Sequence, residues 1–440
     1  MEILSPFTHI TLIDDRESEV KHIINFFQEK NIPYTYYNYN GSQDSLPKVP
    51  SKFVRVLFMD LYLLEDGTAP EKDAKIVSGR FMSVLSAIIE PNTPYILIVW
   101  SKHIEESKEQ DPGYLAVVER LKSDKELMPL AVMPLDKTKF LEASDSGQLD
   151  TLVGNGEELE SAIIAAIKND IPAYTSLHWS NLIGVATNNT LGNLREIIAC
   201  KDFDPDFVER LLFEFARAYL GKNTSNNEDK YKSSLQFITD IFKDNLEEQI
   251  NGLDTPLVLE LNENSNNPPT EDDFANINSK TLFSNNNPNV FTPGNVYRKS
   301  HEDFAVYYSG FYFNIFNIRK KADELLDSEE GLNEKKAIRQ SKSYFKQKFA
   351  ECTCITVNVT PVCDFAQKKF IYHKYCQGIL LPYDLDLSDY LNRASYYYFS
   401  PQFLFIDKKY LLILDLRLTT HDLCDTPGNE EYLFRIREPT

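Results

Sequence analysis

The chain has 440 residues, 42% of them hydrophobic and 25% charged, which is enough apolar side chain for two to four folded domains at roughly 100 to 200 residues each. Its 66 Asp and Glu against 46 Lys and Arg leave a formal net charge of −20, which works against nonspecific nucleic-acid binding because Lys and Arg must neutralise the phosphates. The 6 cysteines form no dense disulfide framework, the opening MEILSPFTHITL carries no basic leader, and no stretch approaches the about eighteen uncharged apolar residues that span a bilayer. The expectation is a cytoplasmic protein with no membrane span and no nucleic-acid partner.

His9 to Ile13 reads as a strand and runs into an acidic pair, Asp14 and Asp15. Glu17 to Lys30 follows with Val20, Ile23, Ile24 and Phe27 at helical spacing, and Ile32 to Tyr37 reads as a second strand. Tyr39 to Lys52 contains Gly, Ser and Pro and leaves room for a short helix or none. Phe53 to Met59, apolar on both faces, reads as a buried parallel strand that ends abruptly in Asp60. Ala74 to Glu90 predicts a helix, Pro94 to Trp100 a strand ending in Ser101, Tyr114 to Leu121 a helix, Leu130 to Leu135 a strand entering Lys137, and Glu157 to Lys168 a closing helix. Polar segments at Tyr62 to Asp73 and Ile104 to Pro112 read as insertions. Strands alternating with helices predict right-handed crossovers and a doubly wound α/β domain over residues 1–170.

Residues 171–252 carry amphipathic runs at Tyr174 to Ala186, Leu191 to Ala199, Asp206 to Leu220 and Tyr231 to Ile250, a helical middle region. Residues 253–293, which include NSNNPP and SNNNPN, read as a linker or long loop. Residues 294–440 read as a β-rich module, a small barrel or sandwich, with a helical insertion near Arg319 to Phe349. Its strands are expected at Ile355 to Val359, Phe370 to Tyr375, Ile379 to Leu381, Gln402 to Ile406 and Tyr410 to Leu416. The basic stretch of Arg319 to Lys321, Lys335 to Arg339 and Lys342 to Lys348 is interleaved with acids and reads as a solvated helix face.

An acidic pair, a single Asp, a hydroxyl and a Lys, arriving in that order at four strand ends, resemble the receiver domain of two-component response regulators. The resemblance covers about the first 140 residues. It implies a flavodoxin-like parallel sheet and assigns Asp60 as the phosphoryl acceptor, with Ser101 and Lys137 contacting the phosphoryl oxygens. Asp14, Asp15 and Asp60 are then the ligands of Mg²⁺, whose octahedron water and a backbone carbonyl such as that of Tyr62 complete. It further implies a histidine kinase as donor, self-phosphorylation as the only chemistry, and a further protein partner or homo-oligomer. Receivers with such insertions and a C-terminal module look like those of antiphage two-component systems, a phosphate buffer among them, and VTPVCDFAQKK, Val359 to Lys369, looks like a Cys-Asp motif of bacterial β-barrel modules attached to unusual receivers. The alternatives are a receiver-fold adaptor that is never phosphorylated, or an effector whose activity lies in the C-terminal module.

Several residues depart from the family pattern. Lys102 is bulky where receivers carry a small residue, Trp100 precedes Ser101, and Pro134 stands where an aromatic switch residue is usual. Lys139 competes with Lys137 for the pairing role, and Lys137 is preferred because it follows the strand directly. Cys352, Cys354, Cys363, His373 and Cys376 fall within range of a zinc site, but without a paired CxxC they read as buried reduced thiols.

Overall fold

A computed structural model of the chain describes residues 4, 8–64, 74–102, 111–143, 149–153, 157–202, 204–220, 227–253, 268–284, 292–302, 314–361, 372–383, 387, 389–423 and 431–437. It divides into two compact units, one of residues 1–208 with 238–260 and one of residues 209–237 with 261–440.

The first unit is built on five parallel strands, β1 (Ile10–Asp14), β2 (Tyr34–Asn38), β3 (Val56–Met59), β4 (Ile96–Ser101) and β5 (Ala131–Asp136), in the order β2-β1-β3-β4-β5. This is the flavodoxin-like order of doubly wound sheets, with the switch point between β1 and β3. Period-two alternation sorts the strand residues between two cores. Ile10, Leu12, Val56, Phe58, Ile96 and Ile98 meet α1 (Glu17–Glu29), α4 (Glu157–Asn169) and the start of α5 (Ile171–Ala199) on one face. Ile13, Leu57, Met59, Leu97 and Val99 meet α2 (Ala74–Ile88) and α3 (Pro112–Ser123) on the other. Each core is closed over by helices, which is why β1, β3 and β4 are buried along their whole length.

Between β2 and β3 a helix is replaced by a 3-10 turn, Gln43–Ser45. After β5 a second 3-10 turn, Lys137–Lys139, leads into a hairpin of β6 (Leu141–Ala143) and β7 (Leu149–Leu152), which sequence periodicity does not announce. The runs Tyr174 to Ala186 and Leu191 to Ala199 form one continuous helix, α5, with Asp170 capping it at Ala173 N (2.9 Å) and Pro172 in the first turn. Helices α6 (Pro205–Leu220) and α7 (Asn227–Asn251) complete the helical region. Among the described residues, no helix is long and apolar enough to cross a membrane.

The second unit is antiparallel. Its strands are β8 (Phe283–Ser284), β9 (Asn295–Arg298), β10 (Thr353–Asn358), β11 (Tyr372–Pro382), β12 (Tyr397–Phe399), β13 (Phe403–Phe405), β14 (Lys408–Leu423) and β15 (Glu431–Ile436). They run β12-β14-β11-β10-β9-β15-β8, with β13 on the outer side of β14. Within the stretch read as a linker, α8 (Glu271–Leu282) forms behind a Thr270–Asp273 capping box and leads into β8. The expected helical insertion is a pair, α9 (Ile318–Ser328) and α10 (Glu334–Ala350). The two short strands expected at Phe370 to Tyr375 and Ile379 to Leu381 are one, β11, which bends at a bulge between Cys376 and Gly378. A Cβ on Gly378 would lie 2.3 Å from the Ile413 carbonyl oxygen, so only glycine lets β11 and β14 approach there.

The barrel or sandwich of the sequence reading is a single curled sheet. Laid flat, β13 and β8 would stand about 29 Å apart across six strand spacings. Instead the rings of Phe283 and Phe403 are 4.1 Å apart, and both pack with Phe434. The sheet is therefore a half-barrel, with α8 along its seam. Leu404 N–H donates to Ser279 Oγ at 2.6 Å, that hydroxyl lies 2.8 Å from the Leu404 carbonyl, and Asn278 donates to the Gln402 carbonyl at 2.7 Å. Side chains of a helix thus satisfy the backbone edge of β13.

Candidate functional site

The site lies at the carboxyl ends of β1, β3 and β4, beside the switch point. Parallel pairing puts Ile13 opposite Met59 and Met59 opposite Val99, so Asp14, Asp60 and Ser101 emerge on one rim. Asp60 N–H donates to the Ile13 carbonyl at 3.0 Å and fixes that residue beside β1. Carboxylate oxygens of Asp14, Asp15 and Asp60 come within 4.8 Å of one another. Asp14 is fully buried and shares the alternation of Ile10 and Leu12, so it faces α1. Its Oδ1 accepts from Arg16 N–H at 2.9 Å and its Oδ2 from Lys137 Nζ at 2.7 Å. Asp15 Oδ2 accepts from Leu64 N–H at 3.0 Å, and Leu64 holds a left-handed φ of 68° to present that donor. Such a conformation costs a non-glycine residue about 1–2 kcal/mol and persists only where its surroundings impose it.

Lys137 is completely buried. Asp136 accepts from Thr138 N–H at 2.9 Å and Thr138 Oγ1 at 2.6 Å, and this cap winds the 3-10 turn so that Lys137 points inward while Lys139 is exposed. The Lys137 ammonium lies 2.7 Å from Asp14, 2.8 Å from Glu19 and 3.4 Å from Asp60. Burial works to lower its pKa, and the three carboxylates overrule that and raise it, so it is an ammonium. Burial pushes the Asp14 carboxyl up to about 7, against the pull of Lys137, with Asp60 and Glu19 adding repulsion. Asp15 is raised by burial and by the Asp60 charge. Three crowded carboxylates with only oxygen donors make a pocket for a hard divalent cation, which would relieve that repulsion.

The structure brings together Asp14, Asp15, Asp60 and Lys137, and it seats Ser101 on the same rim. Ser101 Oγ is buried without a hydrogen-bond partner at the end of β4. Trp100 is buried and stacks on Phe140 at 6.2 Å, so an aromatic pair stands behind Ser101 although Pro134, opposite Val99 on the edge strand β5, is not aromatic. Sequence reasoning missed Glu19. It is 1% exposed, on the stripe of Ile23 and Phe27, and its carboxylate is bracketed by Lys137 at 2.8 Å, Lys102 at 2.7 Å and Arg16 at 3.3 Å. Burial works to raise its pKa, and the two lysines prevail and hold it below the usual carboxylate range. The spacing of 19, 23 and 27 was the available signal, because it puts an acid on an otherwise apolar helix face.

No zinc cluster forms from the described thiols. Cys352 and Cys354 pack in one core of the second unit and Cys376 in the other, with Cys354 Sγ 3.8 Å from His301 Nδ1 and Cys376 Sγ 3.3 Å from the Asp415 carbonyl. Cys363 and most of the VTPVCDFAQKK motif lie outside the described residues. The second unit also holds a cleft of about 710 Å³, floored by Phe403, Phe405 and Phe434 and rimmed by Lys280, Glu431 and Arg437.

No protein-family model and no curated protein matches the chain. Among solved structures, the RcsB response regulator of Salmonella enterica serovar Typhimurium, bound to promoter rprA in the presence of the phosphomimetic BeF3−, aligns at 13% identity over 51% of this chain and 98% of that chain, with a TM-score of 0.19. A second structure of RcsB, from Salmonella typhimurium, described for conformational dynamism in DNA interaction, aligns at 12% identity over 52% of this chain and 98% of that chain, also at 0.19. Overlays this loose carry no argument, so the receiver-like fold rests on the strand order and on the groups at the strand ends.

Proposed function

We propose that the first unit is a phosphoacceptor of a two-component phosphorelay, in which a histidine kinase transfers a phosphoryl group to Asp60. The observation that carries this reading is the convergence of Asp14, Asp15 and Asp60 within 4.8 Å beside a buried Lys137. The transferred group is strongly anionic, so positioning and neutralisation account for most of the catalysis. An Asp60 oxygen attacks phosphorus in line, the bond from phosphorus to the donor nitrogen breaks, and the released imidazole takes up a proton. Lys137, 3.4 Å from Asp60, offers a fixed positive charge to one phosphoryl oxygen, and the unpartnered Ser101 hydroxyl donates to another. Asp14, Asp15 and Asp60 are the residues that would hold Mg²⁺, which would supply the remaining charge neutralisation.

The same reading makes the chain a cytoplasmic protein without further catalytic chemistry, and its fullest form is a phosphate buffer in antiphage defence, where the acyl phosphate itself is the end product. The test is intact-mass analysis after incubation with acetyl phosphate, with and without Mg²⁺. One phosphoryl group should appear on the wild type, require Mg²⁺ and be absent from Asp60→Asn. Label persisting in Asp60→Asn rules out the assignment, and a wild type that takes no label from acetyl phosphate or from histidine kinases leaves the receiver fold as an interaction module.

A further inference from the structure

We propose that Lys102 is a second phosphoryl-binding cation, stored on Glu19 in the resting site and transferred to the phosphoryl group once Asp60 is modified. This rests on the phosphoacceptor reading and adds to it two residues, one that touches the phosphoryl group and one that positions it. Lys102 directly follows Ser101, whose hydroxyl is buried and unpartnered at the end of β4. Its ammonium is 2.7 Å from Glu19 Oε1, while Lys137 is 2.8 Å from Glu19 Oε2 and 3.4 Å from Asp60 Oδ2. The two ammonium groups therefore bracket one carboxylate and stand no further apart than its width and two hydrogen bonds. A lysine side chain spans that distance by rotamer changes alone, and Lys102, unlike Lys137, is partly solvent-exposed and free to make them.

Charge decides the direction of the transfer. In the resting site Glu19 is shared among three cations, Lys137, Lys102 and Arg16, so the loss of one leaves it paired and hydrogen-bonded. Converting the Asp60 carboxylate to an acyl phosphate adds a negative charge where, among the described residues, Lys137 is the side-chain cation paired with Asp60. A cation held nearby by an over-supplied carboxylate is the group best placed to answer it. The consequence concerns the lifetime of the acyl phosphate. Hydrolysis forms a bond from water oxygen to phosphorus and breaks the bond to Asp60, returning the carboxylate and inorganic phosphate. A second ammonium on the phosphoryl oxygens, lying across the approach from solvent, holds that group in place and slows its loss.

The experiment phosphorylates the full chain with acetyl phosphate and Mg²⁺, removes the donor by desalting, and follows the decay of the phosphorylated mass. Lys102→Ala should shorten the half-life about tenfold, the worth of one charge-assisted hydrogen bond, and Lys102→Arg should restore most of it. Glu19→Gln removes the competitor for Lys102 and should leave the half-life unchanged or longer, while speeding the gain of label. Mg²⁺ titration followed by Trp100 fluorescence should be alike in wild type and Lys102→Ala, which shows that the metal site still forms. Equal half-lives for wild type, Lys102→Ala and Lys102→Arg overturn the inference and leave the phosphoacceptor reading standing. A half-life shortened as much by Glu19→Gln as by Lys102→Ala makes Glu19 structural only and likewise overturns it. A wild type that takes no label defeats both.

Discussion

Residue by residue, the site is a balance of buried charges, and its most exposed liability is Lys137. Removing its ammonium leaves Asp14 and Glu19 buried with one fewer cation. Breaking such a pair costs about 3–5 kcal/mol, so Lys137→Ala should lower the urea midpoint of the first unit as well as the yield of phosphorylated protein. Midpoint and label are both measurable on one sample, and an unchanged midpoint means that the carboxylates find other partners. The thiols of the second unit are a separate case. Burial pushes Cys354 up to about 12 and Cys376 up to about 11, so the folded state holds both as thiols while the unfolded chain ionises near 9. A folded pKa raised above the unfolded one gives stability that is complete below the unfolded value and lost as pH rises toward the folded one. The second unit should therefore lose stability between about pH 9 and 12, and iodoacetamide at pH 8 should modify exposed Cys200 well before Cys352, Cys354 or Cys376. Asp14, Asp15, Asp60, Ser101 and Lys137 were legible in the sequence because each stands where a run of β-formers stops. Glu19 was not, because a first-turn acid has an ordinary explanation in the helix dipole, and its place on the 19, 23, 27 stripe was the one sign that it faces inward.

At the scale of elements, the parallel half could be read because its strands are continuous apolar runs and its helices amphipathic. The structure confirms β1, β3, β4 and β5 within a few residues of their expected bounds. Where the reading broke, a local rule yielded to a longer contact. The amphipathic runs Tyr174 to Ala186 and Leu191 to Ala199 are one helix, with the Thr187 and Thr190 hydroxyls bonding back to the carbonyls of Ile183 and Ala186 as α5 continues between them. In the second unit the expected strands Phe370 to Tyr375 and Ile379 to Leu381 left residues 376–378, with Gly378 among them, between them. Gly378 lies at a bulge within β11 where the partner backbone approaches too closely for any side chain. Gly378→Ala should cost that unit about 3 kcal/mol and open Cys376, two residues away, to thiol reagents, as read by urea unfolding and peptide mapping. Wild-type protection of Cys376 in this variant would show that β11 and β14 can separate without loss.

For the whole molecule, the decisive measurement is whether modification of Asp60 is felt outside its own unit. A receiver equilibrium shifted by phosphorylation should alter hydrogen exchange at the rim of β1, β3 and β4 and at the turn around Lys137. Protection unchanged in residues 261–440, with unchanged light scattering, favours the buffer, whereas altered protection or assembly there favours an output role. The net charge of −20 makes a further demand, because like charges repel more in the folded chain than in the expanded one. Moderate salt should raise the thermal midpoint, and a midpoint independent of salt would mean that the acids are already locally compensated. The contact of Ser279 with Leu404 bears on the same question of dispersal. A sheet ending in bare amides is a template on which another chain can crystallise strand by strand, and here one hydroxyl stands in for the missing neighbour. The half-barrel thus carries its own end-stop, and Ser279→Ala would leave the Leu404 amide and carbonyl bare while Asn278 still holds the Gln402 carbonyl.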